Sequence, residues 1–120
     1  MTTKKLIQDF YKSDAFINVA EMENYLHPDF VLEWQSSKGF SKMNRQEVLN
    51  LTTEMSASYI RTKVKIHSLV IEKNQVALRY SQFVKTVENP REEMLLANFF
   101  VILEVKDDKL YRGYQMSQLN

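Results

Sequence analysis

Hydrophobic positions near the start of the chain recur with the spacing of an amphipathic helix. The stripe consists of Leu6, Ile7, Phe10 and Tyr11, and polar residues occupy most positions between them. We expect Thr3 to cap this helix. A second helix is predicted to follow Asn18, whose side chain can accept from free N–H groups, with Glu21 completing a capping-box-like pair. It should end at His27-Pro28, because the residue before a proline avoids the helical region.

The rest of the chain combines one more helix with period-two alternation. Residues 30–35 alternate as a half-buried strand does, and residues 36–43 have the composition of a loop. A third helix is predicted after Asn44, with an apolar stripe of Val48, Leu51, Met55 and Tyr59. Strands are expected at about residues 62–72, 75–88, 94–106 and 109–119. Three helices followed by hairpin-joined strands predict an α+β fold with helices on one face of the sheet.

Length, charge and composition exclude several classes of protein. The 120 residues, 44% of them hydrophobic, fit a single domain spanning residues 1–120. The formal charge of +1, with both signs interleaved, gives no electrostatic signature for nucleic acid or a membrane surface. There is no cysteine, and no signal peptide or membrane-spanning apolar run of about 20 residues is visible. A cytoplasmic protein is therefore expected.

A set of spaced residues carries a family resemblance across nearly the whole chain. It comprises Leu6-Ile7 and Phe10-Tyr11, Asn18, the run from Leu26 to Val31, Gly39, and the run from Asn44 to Val48. This set resembles the nuclear transport factor two-like superfamily, in its SnoaL-like and ketosteroid isomerase-like branch. The resemblance implies a cystatin-like cone, in which a strongly curved mixed or antiparallel sheet and three N-terminal helices enclose a pocket. Similar proteins are commonly homodimers and include isomerases, cyclases, dehydratases and proteins without catalysis.

If the sheet curls in this way, alternation divides its side chains into an inner and an outer set. The inner set is Leu32, Trp34, Leu78, Tyr80, Gln82, Val84, Ala97, Phe99, Val101, Gly113, Gln115 and Ser117, joined by Phe10, Met55 and Tyr59 from the helices. Mostly apolar side chains with a few hydrogen-bonding groups are typical of a small-molecule site, in which Trp34 would supply a flat wall and an N–H donor. Alternatively, these residues simply fill the core, and the polar ones satisfy each other or hold water.

The outer set predicts an interface between two copies of the chain. It contains Phe83, Phe100, Ile102, Tyr114 and Met116, which a monomer would leave in water. Contiguous exposed apolar surface usually marks an interaction site. We therefore expect a two-fold homodimer packed sheet against sheet.

The catalytic groups of ketosteroid isomerase are not found at the matching positions. That enzyme uses an aspartate base, a tyrosine and a protonated aspartate. The resemblance places these groups on Trp34, Phe10 and Val101, which can neither take a proton nor stabilise an oxyanion as those groups do. A register shifted by one residue would instead bring in Tyr11 and Glu33, and it would require a bulge in the first strand.

Other candidates for chemistry are sparse. His27 is expected to meet free carbonyls at a helix end, and His67 to lie at the surface or to be partly buried. Neither has companions at metal-ligand spacing, so no metal and no cofactor are predicted. Three hypotheses remain open. The pocket binds a small apolar ligand, or an enzyme of the isomerase, cyclase or dehydratase kind uses Tyr80 or Glu33, or the domain is a non-catalytic dimer with a filled interior.

Overall fold

Local capping signals account for where the helices begin. The computed structural model describes residues 2–120, with helices α1 (Thr3–Lys12), a short 3-10 helix (Ala15–Ile17), α2 (Val19–Tyr25) and α3 (Arg45–Ser58). Thr2, rather than Thr3, caps α1, because its Oγ1 accepts from the Lys5 N–H at 3.1 Å. The caps predicted at Asn18 and Asn44 are confirmed, and Asn44 forms a complete capping box with Glu47.

Six strands form one mixed, curved sheet that does not close into a barrel. They are β1 (Leu26–Ser36), β2 (Gly39–Asn44), β3 (Tyr59–Glu72), β4 (Gln75–Thr86), β5 (Glu93–Lys106) and β6 (Lys109–Leu119). Their order is β2-β1-β6-β5-β4-β3. Neighbours are antiparallel except for β1 and β6, which run parallel and place Trp34 beside Gln115. The predicted α+β class is confirmed.

Three boundaries differ from the sequence prediction. Residues 36–43, expected to be a loop, contain most of the exposed strand β2. His27 and Pro28 do not follow a helix directly, because α2 ends at Tyr25 and both residues belong to β1, where pairing with β6 shifts register. Tyr59 follows the last residue of α3 and begins β3, so it lies outside the helical stripe.

The core lies between the helices and the inner face of the sheet. Ile7 of α1 and Val76 of β4 are fully buried there, and Leu110 of β6 is nearly so. The glycine at position 113 allows close packing at this level, since a Cβ there would lie 2.9 Å from Leu32 Cδ1. Sheet curvature and helix cover leave one part of this interior unfilled.

Candidate functional site

A cavity of about 100 Å³ lies between the inner face of the sheet and the helices. It is lined by Phe10, Tyr11, Phe16, Met22, Leu26, Phe30, Leu32, Trp34, Val48, Leu51, Thr52, Met55, Tyr80, Gln82, Phe99, Leu103, Leu110 and Gln115. This lining is mostly apolar, with hydroxyl and amide groups at a few positions. A single water needs about 10–15 Å³ on a comparable measure, so the cavity has room for a compact organic group.

Aromatic rings form one wall of the cavity. Tyr80 and Phe99 stack with centroids 4.8 Å apart and planes 10° from parallel, and Trp34 lies 6.4 Å from Phe99. The three residues come from β4, β5 and β1, and alternation turns each of them inward. The indole N–H of Trp34 donates to Ser117 Oγ at 2.8 Å, so this expected donor is already used within the protein.

Two buried tyrosines provide hydroxyl groups in this wall. Tyr11 of α1 and Tyr80 of β4 have ring centroids 5.0 Å apart and are 6% and 1% exposed. Burial raises the pKa of Tyr11, an effect that its hydrogen-bonding interaction with Tyr80 partly offsets. Burial also raises the pKa of Tyr80 well above its usual value, and the neighbouring Tyr11 raises it further. Both phenols are therefore neutral near pH 7. Tyr80 is the donor in their mutual interaction, since this interaction lowers the pKa of Tyr11 and raises that of Tyr80, so the O–H of Tyr11 is the one left to donate.

The amide groups of two glutamines complete the polar part of the lining. Gln82 is 3% exposed, and its Nε2 donates to Thr62 Oγ1 at 2.9 Å. This bond leaves the Gln82 carbonyl oxygen as an acceptor. Gln115 faces the cavity from β6 at the level of Trp34. The polar groups are thus spread around the apolar cavity, and none of the lining side chains is a carboxylate, a histidine or a cation.

The four side chains on which the predicted site depended share this cavity, since Trp34, Tyr80, Gln82 and Gln115 all line it. Phe10, Met55 and Phe99, also predicted, line it as well. Tyr59 and Ser117 are not among the lining residues. Tyr59 begins β3 instead of continuing α3, and Ser117 lies behind Trp34 as its hydrogen-bond acceptor.

The two candidates for proton transfer are separated by the sheet. Tyr80 lines the cavity, but Glu33 lines a groove on the outer face together with Arg79 and Tyr114. Regular alternation in β1 sends Glu33 outward because its neighbours Leu32 and Trp34 point inward. Of the two residues that the shifted register would bring into the site, Tyr11 does line the cavity, but Glu33 does not.

Neither histidine reaches the cavity. His27 was expected to meet helix-end carbonyls, but its Nδ1 accepts from the Asp29 N–H at 3.0 Å and its Nε2 lies 3.4 Å from an Asp107 carboxylate oxygen. His67 lies exposed on β3, as expected, with Nε2 2.8 Å from Ser81 Oγ. Within residues 2–120, no group of three or more His, Cys, Asp or Glu side chains has the arrangement of a metal site.

Some lining residues were missed because the inner set was taken mainly from strands. Tyr11 is the most important of them, because it brings a hydroxyl group into the cavity. It is adjacent to Phe10, and both residues are buried. Their shared stripe in α1 was visible, and a wide apolar stripe can bury adjacent residues. Thr52 was missed because it is polar, although it lies four residues after Val48, whose carbonyl accepts its hydroxyl proton at 3.0 Å.

Comparisons with known proteins identify the fold. AusH from Aspergillus nidulans superimposes with a TM-score of 0.79 at 13% identity, covering 96% of this chain and 82% of that one. A SnoaL-like protein from Jannaschia sp. CCS1 gives 0.70 at 7% identity, covering 96% and 84%. A protein of ketosteroid isomerase-like fold from Catenulispora acidiphila, in complex with trimethylamine, gives 0.71 at 10% identity, covering 96% and 85%.

No protein-family model and no curated protein sequence matches the chain. The structural matches therefore establish the fold, and the resemblance predicted from the sequence is confirmed at that level. The described residues include no helix with the length and apolar character needed to cross a membrane.

Proposed function

We propose that the chain is a small-molecule-binding domain whose ligand occupies the cavity between α1, α3 and the sheet. The observation that carries this proposal is an unfilled apolar interior of about 100 Å³ with phenol and amide groups on its wall. Ligand sites are typically apolar concavities with a few convergent polar groups. The volume favours a compact or slender ligand, since drug-sized sites measure roughly 300–1,000 Å³.

The polar groups define the ligand's chemistry more closely. The hydroxyls of Tyr11 and Tyr80 are held neutral by burial, and the O–H of Tyr11, which their mutual hydrogen bond does not use, can donate to a carbonyl, ether or hydroxyl oxygen. A ligand cation or anion buried among the apolar side chains would lose hydration without a countercharge in the lining. These features support an uncharged part with one or two oxygen atoms as the group that enters the cavity.

Binding is favoured over isomerase, cyclase or dehydratase chemistry by the groups that face the ligand. Such reactions generally need a base whose pKa lies near physiological pH. The raised pKa values of Tyr11 and Tyr80 make both phenols poor sources of a base at neutral pH, and Glu33 lies on the other face of the sheet. The enzyme alternative would gain support if Tyr80→Phe abolished turnover of a carbonyl substrate while leaving its binding intact.

Trp34 provides a direct test, because it is the single tryptophan and lines the cavity. We expect 1-octanol, a slender uncharged probe, to change Trp34 fluorescence saturably. Leu51→Phe should weaken this binding about fourfold, since the larger side chain fills the space of about one methylene and so removes about 0.8 kcal/mol of apolar contact.

The matched control lies on the same helix. Ala57 is exposed on α3, so Ala57→Phe adds a ring outside the cavity and should leave octanol affinity unchanged. Folded wild-type protein that shows no saturable response to octanol would count against the cavity as a binding site. Equal affinity in Leu51→Phe and Ala57→Phe would place the probe elsewhere.

We also propose that the chain forms a two-fold dimer through the outer face of the sheet. Phe100 and Met116 are 64% and 63% exposed, and Ile102 and Tyr114 are 49% and 38% exposed beside them. Phe83, also expected in this patch, is only half-buried. The adjoining groove contains both Glu33 and Arg79, opposite charges that a two-fold partner could pair.

Phe100→Glu tests this dimer without touching the cavity. A carboxylate on each protomer would be buried in this apolar interface at a large desolvation cost, which should shift light scattering from a dimer mass to a monomer mass at micromolar concentration. Lys38→Glu, on the exposed β1–β2 turn, is the control and should stay dimeric. A wild-type protein that scatters as a monomer at this concentration would refute the proposal.

A further inference from the structure

A second concavity lies where the end of α1 meets strand β3. It has a volume of about 570 Å³ and a polar lining, unlike the apolar cavity. Its charged lining residues are Lys12, Asp14, Arg61, Lys63, Lys85 and Glu93. We refer to it as the basic crevice, because cations outnumber carboxylates along its walls.

The charges of the basic crevice are only partly balanced. Lys12, Arg61, Lys63 and Lys85 contribute four positive charges, and Asp14 and Glu93 contribute two negative ones, which leaves a net charge of two positive units. Among residues 2–120, the ion pairs are Lys5–Asp9 and His27–Asp107, and neither involves a residue of the crevice. Cations gathered in a concavity raise the local concentration of anions.

The backbone of β3 adds donors to this surface. β3 is an edge strand of the sheet, paired on one side with β4. Alternate N–H groups of an edge strand therefore have no strand partner. Crevice residues Arg61 to Val64 belong to this strand. Lysine and arginine side chains beside the backbone of an edge strand form a surface suited to carboxylate or phosphate oxygens.

The basic crevice and the apolar cavity are separated by one layer of side chains. Tyr11 lines both spaces. Gln82 lines the cavity and donates at 2.9 Å to Thr62, which lines the crevice. Tyr11 and the Gln82–Thr62 hydrogen bond are therefore the contacts between the two spaces, and a ligand that occupied both would have to displace them. A single molecule could then place an apolar part in one and a polar end in the other.

We propose that the basic crevice binds the carboxylate or phosphate group of a ligand whose apolar part occupies the cavity. This inference rests on the proposed function and extends it to a substrate class, an anionic amphiphile. Lys63 and Arg61 would contact the anion from β3, and Lys12 would approach it from α1. The uncharged cavity and the charged crevice then recognise opposite ends of one molecule.

A matched pair of probes separates this inference from the proposed function. Octanoate and 1-octanol share a chain length and differ at one end, and Trp34 fluorescence reports on the cavity for both. We expect octanoate to bind more tightly than octanol to the wild-type protein. The double variant Arg61→Gln/Lys63→Gln should lose about five- to tenfold in octanoate affinity, as expected for two exposed charge contacts, and keep its octanol affinity.

The control variant has the same change in net charge. Lys4→Gln/Lys38→Gln removes two exposed lysines outside the crevice and should alter neither affinity. Added salt should weaken octanoate binding more than octanol binding, because screening acts on the charged contacts. Inorganic phosphate, compared with chloride at equal ionic strength, should compete with octanoate but not with octanol.

The possible results distinguish failure of the crevice proposal from failure of the proposed cavity function. Octanol binding with no octanoate advantage, or an advantage that survives in Arg61→Gln/Lys63→Gln, would overturn the crevice proposal and leave the cavity function standing. Phosphate binding that depends on Arg61 and Lys63, without displacement of octanoate, would show a site for a free anion and overturn the shared-ligand proposal. Failure of both alcohol and carboxylate to perturb Trp34 would reject the two proposals together.

Discussion

The buried tyrosine pair predicts a loss of stability at alkaline pH. The folded-state pKa values of Tyr11 and Tyr80 are raised, so folding favours their neutral forms. In the unfolded chain both phenols ionise near the ordinary value of about 10. The stabilising contribution is therefore fully present below about pH 10 and is lost as pH rises toward the folded-state values.

The size of the effect follows from counting protons. At about pH 11, ionisation of one ordinary tyrosine stabilises the unfolded state by about 1.4 kcal/mol. Two tyrosines that stay neutral in the folded protein therefore remove about 3 kcal/mol of unfolding free energy between about pH 9 and pH 11. This loss is a large part of a typical stability of about 5–15 kcal/mol.

Urea unfolding at a series of pH values would measure this loss. Near-ultraviolet absorbance of tyrosinate would report ionisation in the folded protein. Tyr11→Phe and Tyr80→Phe should each remove about half of the pH dependence. Ionisation of Tyr11 or Tyr80 in the folded protein at about pH 10–11, or an unchanged slope in the double phenylalanine variant, would refute the reasoning.

Two further substitutions test the packing that shapes the cavity. Asn44→Ala removes the capping box of α3 and should lower the unfolding free energy by about 1 kcal/mol in urea; no change would mean that the cap contributes little. Phe99→Ala removes a ring that is 6% exposed and stacks on Tyr80, so a loss of about 3–5 kcal/mol is expected. A loss below about 1 kcal/mol would show that the wall collapses without cost.

The sequence predicted the fold and most of the cavity-lining residues of β4 and β5, because period-two alternation persists through these two strands. Tyr80 and Gln82 on one strand and Phe99 on the next face inward, as alternation requires. Alternation is imposed by backbone geometry and is independent of the ligand. It therefore identifies the inner face even where the function is unknown.

The sequence-based predictions failed where the hydrophobic period changes and no glycine or proline marks the change. Tyr59 has helical spacing from Met55, yet α3 ends at Ser58, and no glycine or proline marks this boundary. A register shift in β3 between Ile66 and Ser68 likewise interrupts the alternation, and Val70 is 66% exposed. Strand β2 was missed because nearly all of its residues are exposed and polar positions outnumber apolar ones.

The parallel pairing of β1 with β6 has a kinetic consequence. Trp34 and its hydrogen-bond acceptor Ser117 are separated by 83 positions along the chain. Contacts between such distant segments require a large loop to close, which slows folding. The helices and the β3–β4–β5 hairpins can form from nearby residues before this strand pair is made. We therefore expect the cavity to be the last part of the molecule to form, so that Trp34 emission reaches its native value later than helical circular dichroism does.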